Sequence, residues 1–520
     1  MTHHKQRIVK FFLHKRTQNV LVGVGAGIIM LAVRSLFSAQ IGADALYHIT
    51  HARYIAEAGD WSTVHPWIVH HFFSTFPANP YILAHSFLAI LLALFGSHAA
   101  NIWVAIQVGS VVGIFFYILR AHQIRYPFVW TIISFMSSSA LLFRLSLARP
   151  FVLGVGLFLL GVHFIMTKRW RALIVLSGIY LLYYNFAIVL GAYAALSVSV
   201  EFITKKKFNV YSILSVFGGF LIALLIHPHT LGYINVISIH AVTIPWLTVI
   251  GIPLLSGQEI TAQVPSQIAA GFILSLVALC SLTGIALFKY KTRFLYWALL
   301  LWCLIWMILT FFMPRAIEYW ILPTWLLAAL MLKDTTLVWP SAYKYHQRLA
   351  TYGVSALILL ILFANTVQAL SLISQSGNDS EEQNAATIAQ TLTEISPVSS
   401  TVYYPNWALF PKLFAHNDHN TYLVGFDPVF QYIYSQDMYW LWHNISVSAT
   451  LCTHRPPCSR LPTDEELTLL FTTTFDAPYL VLPTGYADKI RERIVDLPTA
   501  VLLKKTPTLL LYEIHQVVDE

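Results

Sequence analysis

Residues 42–73, GADALYHITHARYIAEAGDWSTVHPWIVHHFF, follow the first long apolar run of the chain and decide how the rest is interpreted. The stretch is polar where a membrane-spanning helix would leave the bilayer, and ionisable groups there cost free energy unless they are paired or solvated. On a helix, Asp44, His48 and His51 fall at positions i, i+4 and i+7, so they share one face, with Tyr47 adjacent. We expect this segment to carry chemistry; the alternative is a single turn of interfacial polar residues.

The whole chain has the composition of a membrane protein. Of its 520 residues, 57% are hydrophobic and 11% are charged, whereas soluble proteins carry about 25% charged residues. An aromatic content of 14% excludes disorder, and four cysteines are too few to hold a chain of this length as a disulfide scaffold. The composition therefore predicts a polytopic α-helical membrane protein.

The charge distribution divides the chain near residue 372. Residues 1–372 contain 24 of the 32 basic residues but seven of the 24 acidic ones, a net charge of +17, whereas residues 373–520 have a net charge of −9. We predict a transmembrane domain over 1–372, with an outer loop at 40–99, and a soluble α/β domain over 373–520. The basic residues form short clusters between apolar runs, as orientation signals do, so nucleic acid is not an expected partner.

The basic clusters also predict the topology, because loops rich in Lys and Arg stay on the cytoplasmic side of a membrane. The N-terminal segment has no small-residue cleavage site after its apolar run, so we expect a retained, cytoplasmic N-terminus. Further cytoplasmic clusters are expected at Arg120/Arg125, 168–171, 205–207, 289–293 and 333–348. The acidic domain is then delivered to the outer side.

Apolar runs between these clusters predict about eleven membrane spans. The run 82–95 breaks the parity and, at about 14 residues, is too short to cross the hydrocarbon core, so we expect it to lie on or re-enter the outer face. The other spans are predicted at the first apolar run, 100–119, 127–143, 151–167, 172–186, 187–203, 208–227, 268–288, 294–312, 316–332 and 350–372.

The acidic tail has the pattern of a small α/β domain. An amphipathic helix is predicted from Ser380, and a second helix from Thr463, where three acidic residues occupy the first turn. Cys452 and Cys458 lie in the segment that would face an oxidising compartment, so a disulfide between them is one expectation and two free thiols the other. The strand candidates are STVYY, TYLVG, APYLVLP, TAVLLKK and TLLLYEI.

Aromatic residues are dense between 403 and 443. One interpretation is a belt that rests on the bilayer interface, and the other is a platform on which sugar rings stack. Asp427 in this segment either caps the following turn or points into a cleft.

Five arginines lie outside the predicted cytoplasmic clusters: Arg34, Arg53, Arg144, Arg149 and Arg315. Guanidinium forks match phosphate geometry, so this set could bind a phosphorylated substrate. The alternative is that the arginines snorkel to the interface or pair with Glu318 and with backbone carbonyls. In the loop, the carboxylate of Asp44 could act as a general base, or with the imidazoles it could hold a divalent cation.

The early outer loop with a lone Asp44, followed by Tyr47, Arg53, Tyr54 and Gly59, resembles the first loop of GT-C membrane glycosyltransferases. Oligosaccharyltransferase catalytic subunits and protein O-mannosyltransferases belong to that superfamily. The resemblance extends to the run before the second span, the short paired spans and the outward C-terminal domain. The RLSLARP turn with Arg144 and Arg149, and the PRAIEYW turn, are similar to those of a bacterial branch.

The resemblance implies transfer of a sugar from a polyprenyl-phosphate-linked donor to a glycan, lipid or protein acceptor on the outer face. By that carry-over Asp44 is the catalytic carboxylate or a metal ligand, with His48 beside it. The remaining assignments are donor-phosphate binding by Arg144, Arg149 and Arg315, and substrate binding by Tyr47, His51, Glu318 and Tyr319. The expected location is the bacterial inner membrane, with the C-terminal domain in the periplasm.

Two departures from the superfamily pattern affect the expected cofactor and acceptor. The second outer turn has no acidic residue, and the tail lacks the WWDYG motif of oligosaccharyltransferases, so transfer to asparagine is not expected. No cofactor is required by the sequence; a divalent cation, Mg²⁺ or Mn²⁺, would have Asp44, His48 and His51, or the His70/His71 pair, as ligands.

Two other functions stay open at this point. A glycan polymerase or ligase would share the multiple spans and the outer arginines. A transporter or an inactive scaffold of cell-envelope assembly is the non-enzymatic reading, although spans nearly free of acidic residues argue against ion coupling.

Overall fold

The computed structural model describes residues 15–37, 40, 42–61, 65–252, 271–289, 294–333, 344–377 and 380–516. The chain forms two compact units, each built from three separate segments. Unit 1 comprises Met1–Ile41, Leu91–Ile226 and Gln258–Gly377, and unit 2 comprises Gly42–Ile90, His227–Gly257 and Asn378–Glu520. The predicted division had one cut at residue 372, whereas residues 42–90 of the predicted outer loop 40–99 belong to the same unit as the tail.

Unit 1 is a bundle of apolar helices. Its helices are Lys15–Arg34, Ala99–Ala121, Pro127–Met136, Ser139–Leu145, Phe151–Met166, Trp170–Tyr183, Ile188–Lys205, Tyr211–Ile226, Ile273–Lys289, Phe294–Thr310, Ile321–Lys333 and Lys344–Gly377. The helix Ile82–Phe95 begins in unit 2 and ends in unit 1. Short 3-10 turns cover Gly96–His98, Asn185–Ala187 and Pro314–Tyr319.

Within the described ranges, six helical stretches are long and apolar enough to cross a membrane, and several shorter apolar helices accompany them. The predicted span at 127–143 is not one helix. Pro127–Met136 and Ser139–Leu145 meet at an angle of 92°. The break falls at Ser138, whose hydroxyl accepts a hydrogen bond from the Leu141 N–H at 3.1 Å and so starts a new helix. The total of about eleven spans remains a prediction.

Glycines set the spacing between the first helix and the Ala99–Ala121 helix. A Cβ atom added to Gly23 would lie 2.7 Å from the carbonyl oxygen of Gly109, and one added to Gly27 would lie 2.8 Å from that of Ala105. Contacts that short do not occur between real atoms, so only glycine permits this backbone approach. The first helix and the Ala99–Ala121 helix are therefore in close backbone contact.

Unit 2 contains a five-stranded sheet in the order β2-β1-β3-β5-β4. The strands are β1 (Thr401–Tyr403), β2 (Thr421–Tyr422), β3 (Tyr479–Pro483), β4 (Ala500–Lys505) and β5 (Leu509–Ile514). β1 pairs in parallel with β2 and β3, whereas β5 is antiparallel to β3 and β4. All five strand candidates of the sequence form strands.

The outer loop is part of the core of unit 2. Val69 donates its backbone N–H to the Tyr422 carbonyl at 3.1 Å, and Tyr422 donates to the Trp67 carbonyl at 2.7 Å, so the loop extends the sheet beyond β2. The buried side chains of Tyr47, Trp67 and Ile68 pack with residues of the tail such as Phe410. Burial of these apolar groups explains why the loop joins the tail domain.

The helices of unit 2 cover both predicted and unpredicted segments. They are Ala43–Ala58, Phe72–Thr75, Thr230–Ser238, Ile244–Val249, Ser380–Ile395, Phe410–Phe414, Val429–Tyr434, Gln436–Ser448, Asp464–Leu469 and Asp488–Val495. Thr463 and Glu466 form a reciprocal capping box at the start of the Asp464–Leu469 helix, as the acidic first turn predicted. Cys452 and Cys458 are joined by a disulfide bond.

Most aromatic residues of the tail segment 403–443 are buried and form core. Tyr404, Tyr439 and Trp442 have at most 1% of their surface exposed. The Trp442 indole donates to the Tyr404 carbonyl at 3.1 Å, which satisfies its polar atom inside the core. Asp427 accepts the Val429 N–H at 3.3 Å and so caps the following turn. The buried residues therefore fit neither the belt nor the sugar platform, whereas Trp407 and Phe426 are half-buried and Tyr434 is exposed.

Candidate active site

The predicted catalytic segment forms one helix, Ala43–Ala58, which we call the loop helix. Gly59 ends it in the left-handed conformation, with φ of 65° and its N–H bonded to the Ile55 carbonyl. Asp44 lies in the first turn and is half-buried. A carboxylate at that position is favoured by the helix dipole, because the free N–H groups of the first turn carry partial positive charge.

The other predicted residues of the loop helix are buried. His48, Tyr47 and His51 have 5%, 3% and 0% of their surface exposed. The Tyr47 hydroxyl lies 2.9 Å from Nδ1 of His51, one turn later on the helix, and 2.8 Å from Nε2 of His65. Tyr47 and His51 were expected to bind substrate, whereas the structure places both in an internal hydrogen-bonded network.

His48 connects the loop helix to two residues that were not predicted. Its Nδ1 lies 2.8 Å from Nε2 of His85, and Nδ1 of His85 lies 3.0 Å from Oδ1 of Asn79. His85 is the one ionisable residue of the apolar run 82–95, and this could have marked it as a candidate. Nothing in the sequence singled out Asn79. We refer to His48, His51, His65 and His85 with Tyr47 and Asn79 as the histidine network.

Burial keeps the histidines near this network uncharged at neutral pH. Desolvation holds the pKa of His65 well below its usual value, and the neighbouring His51 and His71 lower it further. Burial likewise lowers the pKa of His71 to about 3. The pKa of the Tyr47 hydroxyl is raised well above its usual value, mainly by burial and also by the nearby Tyr81 and Asp44. Burial therefore favours the neutral form of His65 within the network and of His71 beside it.

The network does not fit the predicted metal site. Among the described residues, no group of three or more His, Cys, Asp or Glu side chains is arranged to hold a metal ion. The Nδ1 atoms of His48 and His51 point to His85 and Tyr47 instead of converging. His71 uses its Nδ1 to accept the Phe73 N–H at 3.3 Å, at the start of a short helix. No ligand role follows for the His70/His71 pair.

Unit 1 contains Arg144, Arg149, Arg315 and Glu318, and we call these four residues the arginine cluster. Arg149 is included because it shares the RLSLARP turn with Arg144. Arg144 donates from Nε to Oε1 of Glu318 at 2.6 Å, and both side chains are almost fully buried. The Arg144 guanidinium also lies over the Phe151 ring, 4.9 Å from its centroid. Because the charges of Arg144 and Glu318 are opposite, the buried pair as a whole is neutral.

Arg315 and Arg149 complete the arginine cluster and are half-buried. Arg315 donates from Nη2 to the Tyr184 hydroxyl at 3.1 Å, and its Cζ lies 5.8 Å from the Phe186 centroid. Arg149 lies in the turn that precedes the Phe151–Met166 helix. Three guanidinium groups and one carboxylate give the cluster a formal charge of +2, which suits an anionic group.

Tyr319, Arg34 and Arg53 have packing or hydrogen-bonding partners within the protein. Tyr319 is buried, and its ring packs 4.8 Å from that of Trp306. Arg34 donates to Asn101, to the Ser146 carbonyl and to Gln40, so its guanidinium has three partners. Arg53 donates to the Ala415 carbonyl at 3.3 Å.

Solved structures resemble the chain over nearly its whole length. ArnT from Cupriavidus metallidurans bound to undecaprenyl phosphate matches with a TM-score of 0.58 and 12% identity, over 95% of this chain and 97% of that one. ArnT in the apo state matches with a TM-score of 0.56 over the same shares, also at 12% identity. The chain has the GT-C fold.

An archaeal GT-C protein agrees with that conclusion. AglB from Archaeoglobus fulgidus, in complex with an inhibitory peptide and a dolichol-phosphate, matches with a TM-score of 0.51 and 12% identity, over 90% of this chain and 70% of that one. No protein-family model and no curated protein sequence matches the chain. The predicted fold class, a GT-C-like helical membrane protein with a C-terminal α/β domain, is confirmed, whereas identities this low carry over no residue roles.

Proposed function

We propose that this protein is a membrane glycosyltransferase that moves a sugar from a polyprenyl-phosphate-linked donor to an acceptor on the outer face of the bacterial inner membrane. The observation that carries the proposal is the likeness over 95% of the chain to a protein bound to undecaprenyl phosphate. A positively charged cluster in the helical unit and a half-buried carboxylate on the loop helix support it independently.

The arginine cluster is the proposed binding site for the donor phosphate. Glu318 pairs with Arg144 and holds it in place, and with three guanidinium groups to one carboxylate the cluster as a whole keeps a formal positive charge. When the sugar departs, negative charge grows on the phosphate oxygen that leaves. The Arg315 guanidinium, held by the Tyr184 hydroxyl, stabilises that charge without having to reorganise.

Asp44 is the proposed catalytic carboxylate. The acceptor oxygen or nitrogen forms a bond to the anomeric carbon, the bond from that carbon to the phosphate oxygen breaks, and the acceptor proton passes to Asp44. Its half-buried position at the start of the loop helix leaves it within reach of a substrate, whereas His48, His51 and Tyr47 are buried behind it in the core. A divalent cation has no role in this proposal.

The test is transfer by the purified protein from a panel of radiolabelled polyprenyl-phospho-sugars to glycan, lipid and peptide acceptors. We expect one donor to support transfer and Asp44→Ala to abolish it. Glu57→Gln is the matched control, because Glu57 is an exposed carboxylate on the same helix. Absence of both transfer and hydrolysis with every donor would contradict the proposal.

The same transfer assay distinguishes the proposed glycosyltransferase from the main alternative, a glycan polymerase or ligase. A glycan polymerase or ligase would also need guanidinium groups at the phosphate but not this carboxylate. Retained activity in Asp44→Asn, with loss in Arg149→Ala and Arg315→Ala, would favour the polymerase or ligase.

A further inference from the structure

The histidine network contains one chain of hydrogen bonds whose direction can be read from elementary chemistry. It runs from the Tyr81 backbone through Asn79 and His85 to His48, and all three side chains have at most 5% of their surface exposed. Each link joins a donor to an acceptor, so fixing one end fixes every proton along it.

The Asn79 amide is fixed by a group that can only donate. The Tyr81 backbone N–H lies 3.1 Å from Oδ1 of Asn79, so the carbonyl end of the amide must face it. The backbone of Asn79 is held as well, because Nε2 of His227 donates to its carbonyl at 3.1 Å. Within the described residues Nδ2 of Asn79 has no partner, and an unsatisfied buried amide calls for a reason to keep this orientation.

The orientation of Asn79 sets the tautomer of both imidazoles. Its Oδ1 only accepts, so the proton of His85 must be on Nδ1, 3.0 Å away. A neutral His85 then has a lone pair on Nε2, which accepts from Nδ1 of His48 at 2.8 Å. With its proton on Nδ1, a neutral His48 presents a lone pair on Nε2.

His48 stands one helical turn after Asp44, and side chains at i and i+4 are neighbours on a helix face. Resting on the function proposed above, we propose that Asn79 and His85 are positioning residues that hold His48 in its Nδ1–H tautomer, so that its Nε2 takes the acceptor proton on from Asp44. The proton leaves the acceptor as the bond to the anomeric carbon forms. It passes through Asp44 to His48, while the departing electron pair stays on the phosphate.

The direct test is the tautomer of His48, measured by ¹⁵N NMR of the full-length protein with labelled histidine. Subtracting the spectrum of a His48→Gln variant assigns its two nitrogens. We expect Nδ1 of His48 to be protonated and Nε2 to be unprotonated. The reverse assignment would overturn the proposal, and this readout does not depend on activity.

Two substitutions at His85 link the tautomer to the reaction. His85→Gln keeps a donor for Asn79 and an acceptor for His48, so it should preserve the tautomer and keep kcat within about threefold, whereas His85→Leu should yield mixed tautomers and lower kcat by about 100-fold with little change in KM. His98→Gln, at an exposed histidine, is the control. An unchanged kcat in His85→Leu would overturn the relay.

The outcomes also distinguish this inference from the proposed function. If no sugar is transferred by the wild-type protein although His48 has the expected tautomer, the proposed function fails and the assignment of Asn79 and His85 as positioning residues stands. If transfer occurs and His85→Leu and His85→Gln lose it equally, a structural role explains His85 and the relay fails.

Discussion

The arginine cluster of unit 1 and the histidine network of unit 2 bury ionisable groups in opposite ways. Arginine stays protonated in proteins, so the cluster retains its charge and one member is paired with Glu318. Histidine can lose its proton, as burial favours for His65, and a neutral imidazole offers one donor and one acceptor. The first arrangement suits an anionic ligand, and the second suits the orientation of side chains and the movement of protons.

The largest effect should follow from breaking the buried ion pair. Arg144→Leu leaves the Glu318 carboxylate buried without its partner, which should destabilise the protein by about 3–5 kcal/mol. Replacing both residues with leucine should restore most of that loss, because no charge remains in the core. Unfolding by denaturant in detergent micelles measures both, with the exposed Arg171→Leu as control. Equal losses in the single and double variants would contradict this account of the pair.

Substitution of the half-buried arginines should weaken donor binding without destabilising the fold. Arg315→Ala and Arg149→Ala should each weaken binding of a polyprenyl phosphate by about 10- to 100-fold, as expected for a lost charge-assisted hydrogen bond of about 1.5–3 kcal/mol. Arg315→Lys should recover only part, because lysine lacks the planar fork. Binding by isothermal titration, with Arg171→Ala as control, checks this. Unchanged affinity in both alanine variants would remove the cluster from the donor site.

Burial of His71, beside the histidine network, should make unit 2 sensitive to acid. His71 has a lowered pKa of about 3 in the folded state, so below a pH of about 6.5 the unfolded chain binds a proton that the folded chain does not. Its contribution to stability is complete above that pH and falls by about 1.4 kcal/mol per pH unit toward pH 3.

Unfolding followed from pH 7 to pH 4 tests this sign. His71→Phe should unfold less steeply with acid than the wild type, whereas His98→Phe, at an exposed site, should follow the wild-type curve. A protein that becomes more stable on acidification over this range would contradict the burial of neutral imidazoles.

The smallest effect is expected at an exposed ion pair in unit 2. Arg460 pairs with Glu466, and 61% of the arginine side chain is exposed. Arg460→Ala should lower stability by less than about 1 kcal/mol, because water screens the pair. A loss as large as that of Arg144→Leu would show that burial does not set the difference between the two pairs.

Local features of the fold could be predicted from the sequence. Short apolar runs between turn residues marked all five strands, and an acidic first turn after Thr463 marked a capped helix. Long-range associations could not be predicted. Nothing local in Trp67 or Ile68 shows that they extend a sheet formed by residues more than 300 positions later. The kink near Ser138 did have a local signal, because serines interrupt the apolar run there and Ser138 caps the second helix.

Local patterns likewise predicted part of the candidate site, and its long-range contacts could not be predicted. Helical spacing placed Asp44, His48 and His51 on one element, and the turn motifs identified Arg144, Arg149 and Arg315, three residues that the fold gathers within unit 1. Spacing does not report burial, so Tyr47 and His51 were expected to meet substrate. The partners of His48 come from another helix and could not be found from the loop alone.

The most direct test of the account follows both products of one reaction. Purified protein is given a polyprenyl-phospho-sugar that supports transfer, and labelled acceptor and free polyprenyl phosphate are measured together over time. The account predicts that the two appear in equal amounts in the wild type and in Glu57→Gln, and that neither appears in Asp44→Asn. Full activity in Asp44→Asn, or acceptor labelling without release of the lipid phosphate, would contradict it.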